Sequence, residues 1–100
     1  MNIRVLTSVL EDLLVGRFFY DKQAAGLGDY FFDSLFSDID SLALNAGIHP
    51  DHYGCYRMLS KRFPYAIYYK IDDDNTVVVW RVLDIRGDPE KIKKEILSEK

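Results

Sequence analysis

Between residues 32 and 46 the apolar positions Phe32, Leu35, Phe36, Ile39, Leu42, Ala43 and Ala46 recur at spacings of three and four, the strongest periodic signal in the chain and the mark of an amphipathic helix. Its polar face carries Asp29, Asp33, Asp38 and Asp40, and Gly47 with Pro50 beyond it closes the element. Upstream, Val9, Leu10, Leu13, Leu14 and Phe18 also fall at helical spacing, which predicts a first helix running to about Asp21 with a single apolar stripe. Ser8-Val9-Leu10-Glu11 reads as a capping box that starts it. Gly26-Leu27-Gly28 breaks the pattern between the two helices, so the pair is expected to form a helical hairpin. A weakly alternating stretch over residues 2 to 6 predicts a short first strand.

From Tyr53 onward the period shortens to about two residues. Phe63, Tyr65, Ile67, Tyr69 and Ile71 alternate along one face of a strand, and Val77 to Leu83 forms a second β-rich run across the turn Asp72-Asp73-Asp74-Asn75. His52 to Leu59 reads as another strand. Asp88-Pro89 supplies an N-cap and a proline at the first helical position, opening a short C-terminal helix with Ile92 and Ile96 inward. The expected architecture is therefore α+β: an antiparallel sheet of about four strands, with an N-terminal helical hairpin packed on one face and a short C-terminal helix. One hundred residues fit a single domain spanning 1–100.

Composition adds two constraints. Apolar residues make up 48% of the chain, as in a protein with a packed core, and no stretch reaches the length of a membrane helix. The N-terminus lacks a secretory pattern and there is one cysteine, Cys55, so a cytoplasmic location is expected, with no membrane partner. The net charge of −3 argues against a general nucleic-acid binder, but its distribution is uneven. Residues 1 to 51 hold three basic and eight acidic side chains, whereas residues 52 to 70 hold four basic ones, Arg57, Lys61, Arg62 and Lys70, and none acidic. The middle of the chain is a basic, tyrosine-rich island in an acidic protein.

Three segments carry a family likeness. Tyr20-Asp21-Lys22-Gln23-Ala24-Ala25-Gly26-Leu27-Gly28-Asp29-Tyr30-Phe31 resembles the helix, Gly-Leu-Gly turn, helix signature of ParE-type toxins. Arg62-Phe63-Pro64-Tyr65-Ala66-Ile67-Tyr68-Tyr69 is similar to their R-F-P-Y-x-I-x-Y strand, and Val82-Leu83-Asp84-Ile85-Arg86-Gly87-Asp88-Pro89 to their closing V-L-H-x-R-R-D-P. By this resemblance the chain is identified as a member of the RelE/ParE toxin superfamily, the toxin half of a type II toxin–antitoxin pair. The resemblance implies a cognate antitoxin as partner, within a higher-order toxin–antitoxin complex, and a cellular target. Asp84 stands where the motif usually has His, and Gly87 where it usually has a second Arg. Ala66 and Gly87 fall where messenger-RNA-cutting members carry arginines, and no tyrosine follows Tyr69. These departures place the likeness nearer the ParE branch, whose target is DNA gyrase. The alternatives are a ribosome-dependent mRNA endonuclease of the RelE type and a non-toxic member that keeps only antitoxin binding.

The candidate residues for binding target or antitoxin are Arg57, Lys61, Arg62, Tyr68, Lys70, Arg81, Asp84 and Arg86, with no catalytic residue and no cofactor expected. The antitoxin is expected on the outer faces of the helical hairpin and on the sheet edge near Arg57 to Lys70, an acid-free segment suited to an acidic or amphipathic peptide. Against this stands solvated edge protection, the ordinary use of lysine and arginine on a strand. Tyr65 and Tyr69 alternate with Ile67 and are expected in the core, whereas Tyr68 shares the other face with Arg62 and Lys70 and is expected at the surface. Trp80 is expected to be packed. His49, His52 and Cys55 form an H-x2-H-x2-C pattern, but three ligands so spaced across a proline loop and a strand point apart, with no fourth to close a site. Gly26-Leu27-Gly28 follows a helix and lacks a lysine, so it is a turn and not a phosphate loop.

Overall fold

The structure, a computed structural model, describes residues 1–99. In chain order it comprises β1 (Ile3–Val5), α1 (Thr7–Gln23), α2 (Leu27–Asp40), α3 (Leu42–Asn45), β2 (Asp51–His52), β3 (Cys55–Leu59), β4 (Tyr65–Ile71), β5 (Val77–Asp84) and α4 (Pro89–Ser98). The strands form one sheet in the order β1-β5-β4-β3-β2. The α+β class, the hairpin on one face and the C-terminal helix stand as the sequence implies. The sheet has five strands and not about four, and β1 joins β5 in parallel, Ile3 opposite Val77 and Val5 opposite Val79. Alternation encodes a face but not a strand direction, so the pattern could not distinguish the two orientations.

The extra strand arises because residues 51 to 59 fold back on themselves. Tyr53 and Gly54 both take positive φ, 58° and 85°, which closes a two-residue loop between β2 and β3. The expected strand from His52 to Leu59 is thus a small hairpin.

The turn between α1 and α2 explains its two glycines separately. Gly26 sits in the left-handed region at φ 84°, where a side chain is disfavoured. Gly28 lies against α1: a Cβ there would come within 2.4 Å of the Arg17 carbonyl oxygen, and its amide donates to Asp21 Oδ1 at 2.8 Å. Gly16 makes the matching approach from α1, its missing Cβ replaced by the Phe31 ring.

Two expectations about α1 fail. The helix begins at Thr7 with Leu6 at its cap, and the Ser8 hydroxyl is buried without a partner instead of forming a capping box. Leu6 donates from its amide to the Val79 carbonyl, so the end of β1 on the sheet decides where α1 begins. The buried stripe is Val9, Leu13, Gly16 and Tyr20; Leu10, Leu14 and Phe18 face outward. Because α1 is apolar around much of its girth, helical spacing alone left the phase open. Of the expected stripe in the second helix, Leu35, Ile39 and Leu42 are buried, whereas Phe32 and Phe36 are half-buried and Phe31, outside that stripe, takes the fully buried place; the helix breaks at Ser41, whose hydroxyl donates to the Asp38 carbonyl at 2.6 Å.

The main core lies between the hairpin and one sheet face, where Tyr65, Ile67 and Tyr69 of β4 and Val77, Val79 and Val82 of β5 meet the helical stripe. On the other face α4 covers a smaller cluster of Cys55, Ala66, Tyr68 and Ile96. The ladder between β4 and β5 is irregular here: Tyr68 faces Arg81 and Tyr69 faces Val79, leaving Trp80 unpaired. This bulge lets Val79 and Val82 both face the hairpin while Arg81 stands on the α4 side.

Candidate functional site

Pairing across β3, β4 and β5 sets Arg57, Tyr68 and Arg81 in one row on the α4 face. Tyr68 is only 2% exposed, so the expectation of a surface tyrosine is corrected: the face it shares with Lys70 carries a second apolar cluster under α4. Burial pushes its hydroxyl pKa up, with Arg57 opposing. Arg57 is half-buried and its Nε lacks a hydrogen-bond partner. Arg81 is locked from two sides. Its guanidinium donates twice to Asp12 of α1, each at 2.8 Å, and to Glu95 of α4 at 2.8 Å, and the Asp12 carboxylate also accepts from the Val82 amide at 3.0 Å. These bonds hold the arginine firmly protonated. Asp12 and Glu95 were missed in the sequence because their partner lies on a distant strand.

Lys70 sits at the far end of β4, its ammonium 4.0 Å from the centre of the Trp80 ring. Trp80 is half-buried and donates from Nε1 to the Ile96 carbonyl at 3.1 Å, which bears out the expectation that it is packed. The eight candidates therefore do not share one surface.

One exposed group lies where the sheet ends in the β3–β4 corner and the close of β5. Lys61 and Arg62 are exposed in that corner, and Asp84 pairs across the ladder with Tyr65. The Ile85 amide donates to the Pro64 carbonyl at 3.0 Å, which ties the corner to the segment carrying Arg86. Arg86 grips Asp84 with two groups, Nη2 to Oδ2 at 2.6 Å and Nε to Oδ1 at 3.0 Å, and its own amide donates to Oδ1 at 2.9 Å. This grip holds the Asp84 carboxyl below the usual range. Behind the pair stand two tyrosines. Burial, then the Asp84 charge, pushes the Tyr65 hydroxyl up to about 12. Burial raises Tyr20 as well, with Arg86 opposing, and the Tyr20 oxygen has no hydrogen-bond partner. Because Asp84 fills the Arg86 fork, the pair is close to neutral and is poorly set to stabilise a developing phosphorane charge. Ala66 lies fully buried under α4, where it adds no cation.

A second exposed feature follows β3. Its last residues, Met58 and Leu59, run past the end of β2, leaving that stretch without a strand neighbour on its outer side. Beside it opens a cavity of about 400 Å³ lined by Asn45, Ile48, His49, Arg57, Leu59 and Lys61 among others. Ile48 and Leu59 are exposed apolar residues at its rim, a signal legible only once α3 and β3 are juxtaposed. The walls are rigid. Asp38, 4% exposed, accepts from the Ser60 hydroxyl at 2.7 Å and the Lys61 amide at 3.3 Å, pinning the corner to α2. The Tyr69 oxygen accepts from the Gly47 amide at 2.9 Å and shares a second hydrogen bond with His49 Nδ1, 2.5 Å away. Burial lowers the His49 pKa, in keeping with a neutral ring. His49 thus packs on the hairpin side of the sheet while Cys55 lies under α4, so the H-x2-H-x2-C residues do not converge.

A helical hairpin laid on one face of a five-stranded sheet, with a closing helix behind it and a basic corner at the strand ends, is the α+β architecture of the RelE/ParE class of toxins. The chain belongs to the ParE family: residues 3–89 match the family described as ParE toxin of type II toxin-antitoxin system, parDE. A chain from the chromosomal ParDE toxin–antitoxin system of P. aeruginosa has the same fold, with a TM-score of 0.75 at 12% identity over 85% of this chain and 96% of that one. A chain from the toxin–antitoxin complex RelBE2 of Mycobacterium tuberculosis aligns at 25% identity over 81% and 93% of the two chains, with a TM-score of 0.46. No curated protein matches by sequence. Among the described residues no helix is long and apolar enough to cross a membrane.

Proposed function

We propose that this chain is a toxin that acts by binding a protein target such as DNA gyrase, and that a cognate antitoxin silences it by docking along the outer side of β3. The observation that carries the docking is the open end of β3 beside a rigid cavity, where exposed Ile48 and Leu59 adjoin Lys61 and Arg62. An acidic, amphipathic segment gains strand hydrogen bonds from the outward-facing Leu59 backbone, buries apolar side chains in the cavity and meets cations at the corner. The target-facing residues are the exposed Arg86 and the half-buried Asp84 it grips, at the other side of the same sheet end. Support for a binding mode of action, and against RNA cleavage, comes from the occupied Arg86 fork and from the absence of a cation at Ala66 and Gly87.

The test is induction of the chain with and without the neighbouring reading frame, read out for growth, DNA-damage response and mRNA cleavage together. Growth arrest with a DNA-damage response, relieved by the neighbour, is expected, as is co-purification of the two products lost on Leu59→Asp. Codon-dependent mRNA cuts on translating ribosomes, lost on Arg57→Ala or Arg62→Ala, would overturn the reading in favour of an endonuclease.

A further inference from the structure

Among the described residues, nothing in the chain covers the outward face of α1. Opposite the buried stripe of Val9, Leu13, Gly16 and Tyr20, the helix presents Leu14, Val15 and Phe18 at 54%, 72% and 65% exposure. Single exposed apolar residues are ordinary, but three contiguous on one rigid helix form a patch that water disfavours. The patch has charged ends. Glu11 lies one turn before it and Lys22 one turn after, and the spacing 11, 14, 15, 18, 22 keeps all five on the same side of the helix. Lys22 packs over the Phe18 ring, its ammonium 4.4 Å from the ring centre, so the cation belongs to this face. Arg17 is drawn off toward α2 by its ion pair with Asp29 at 2.6 Å.

Such a face is complementary to itself when reversed. A two-fold interface must return each contact, residue i meeting j and j meeting i. Running two copies of α1 antiparallel brings Glu11 of each against Lys22 of the other, and Val15 of each against Phe18 of the other, with Leu14 meeting Phe19, itself 44% exposed. A parallel arrangement would instead set Glu11 against Glu11 and Lys22 against Lys22. We infer that the outer face of α1 is a homodimer surface, on which a second copy of this chain docks by antiparallel helix pairing. Its modest extent makes the association weak and reversible, in the micromolar range. The face is separate from the β3 edge on which the proposed docking rests; an antitoxin laid instead on the outer face of the hairpin would compete with the second copy.

Sedimentation equilibrium of the purified chain from micromolar to near-millimolar concentration reads the association directly. A monomer–dimer equilibrium is expected. Glu11→Lys and Lys22→Glu, each placing two like-charged pairs across the interface, should weaken it about tenfold. The combined variant E11K/K22E restores opposite charges in the antiparallel register and should return the dimer to its original strength. Phe18→Glu, at an exposed site, should leave the circular dichroism spectrum unchanged and the chain monomeric. A chain that stays monomeric throughout, or a combined variant no stronger than the single ones, overturns the inference. So does a Phe18→Glu variant whose sedimentation is unchanged but which no longer binds the neighbouring gene product, since the face would then belong to that partner.

Discussion

The hairpin side of the sheet is held by volume and the α4 side by charge. Fourteen buried residues, including Phe31, Tyr65 and Tyr69, interlock between the N-terminal helices and the sheet, whereas among the described residues the buried cluster on the other side is four, Ile96 of α4 on Cys55, Ala66 and Tyr68 of the sheet. A ten-residue helix with so small an apolar footing is marginal alone. What it lacks in burial is supplied by Arg81, which bridges Asp12 of α1 and Glu95 of α4 around the free edge of β5 beyond the end of β1. The contrast teaches that the same sheet carries a cooperative core on one side and a stitched, separable element on the other. The two sides should therefore respond differently to damage.

The largest effect is expected at the centre of the volume-held side. Phe31 is fully buried, touches the rings of Tyr20, Phe63 and Tyr65, and fills the space above Gly16. Phe31→Ala should cost about 3–5 kcal/mol through lost burial and the cavity left behind. Guanidinium unfolding should show the loss as a single lowered midpoint, with hairpin and sheet probes moving together. Separate transitions for the two would break the comparison.

On the charge-held side, Asp12→Ala removes two bonds from a guanidinium whose side chain is 13% exposed and one from the Val82 amide. Leaving that charge short of its counter-ion should cost about 2–3 kcal/mol, less than a fully buried pair because Glu95 remains. Native-state hydrogen exchange should show faster exchange in α4 and the end of β5 first, with the Leu35 and Ile39 amides still exchanging only through global unfolding. Uniform loss of protection would show that α4 is not separable.

Much of this contrast was hidden in the sequence, for physical reasons. Element types and order were legible because Leu35, Ile39 and Leu42 follow one helical stripe, and because Tyr65, Ile67 and Tyr69 alternate cleanly over a face that packs on it, although the spacing starts the stripe at Phe32 and the structure buries Phe31. The other face was not, since Tyr68 becomes a core residue only when α4 folds back over it, a long-range event that alternation cannot encode. Arg81 read as a free surface cation for the same reason: its two carboxylate partners lie 69 and 14 residues away. In α1 two overlapping apolar stripes gave two possible phases, and only the sheet chose between them. At the candidate site, the cations of the β3–β4 corner were visible as charge, but the cavity beside them depends on the break at Ser41 and the turn at Tyr53-Gly54.

A third effect is set by pH and sharpens the contrast on the hairpin side. The Tyr65 hydroxyl is held at about 12 in the fold against about 10 in an unfolded chain. The fold favours its neutral form, so its contribution is complete below pH 10 and is lost as pH rises to about 12, on the order of 2 kcal/mol. Tyr20, Tyr68 and Tyr69 are raised as well and add to the slope in the same direction. Denaturant midpoints measured across this window should fall steeply, and Tyr65→Phe should flatten part of the fall. A Tyr65→Phe variant with the original slope would show that this hydroxyl does not carry the effect.

The smallest effect on stability is expected where the effect on activity is largest. Arg86 lies beyond the end of β5, its side chain 54% exposed, and its pair with Asp84 spans only two residues in solvent. Exposed pairs of this kind contribute little, so Arg86→Glu should leave the unfolding midpoint essentially unchanged. Reversal nevertheless turns the one paired cation at that sheet end into a repelling carboxylate beside Asp84, and a target surface that meets Arg86 would lose its contact. Growth arrest on induction should disappear, while co-purification with the neighbouring gene product, for which the β3 edge is the proposed dock, should persist. Asp84→Asn separates the two roles: it frees the Arg86 fork without reversing charge, and should preserve or strengthen growth arrest. If Arg86→Glu keeps full toxicity, the end of β5 is not the target-facing surface; if it loses antitoxin binding along with toxicity, the two surfaces assigned to opposite sides of the sheet end are one.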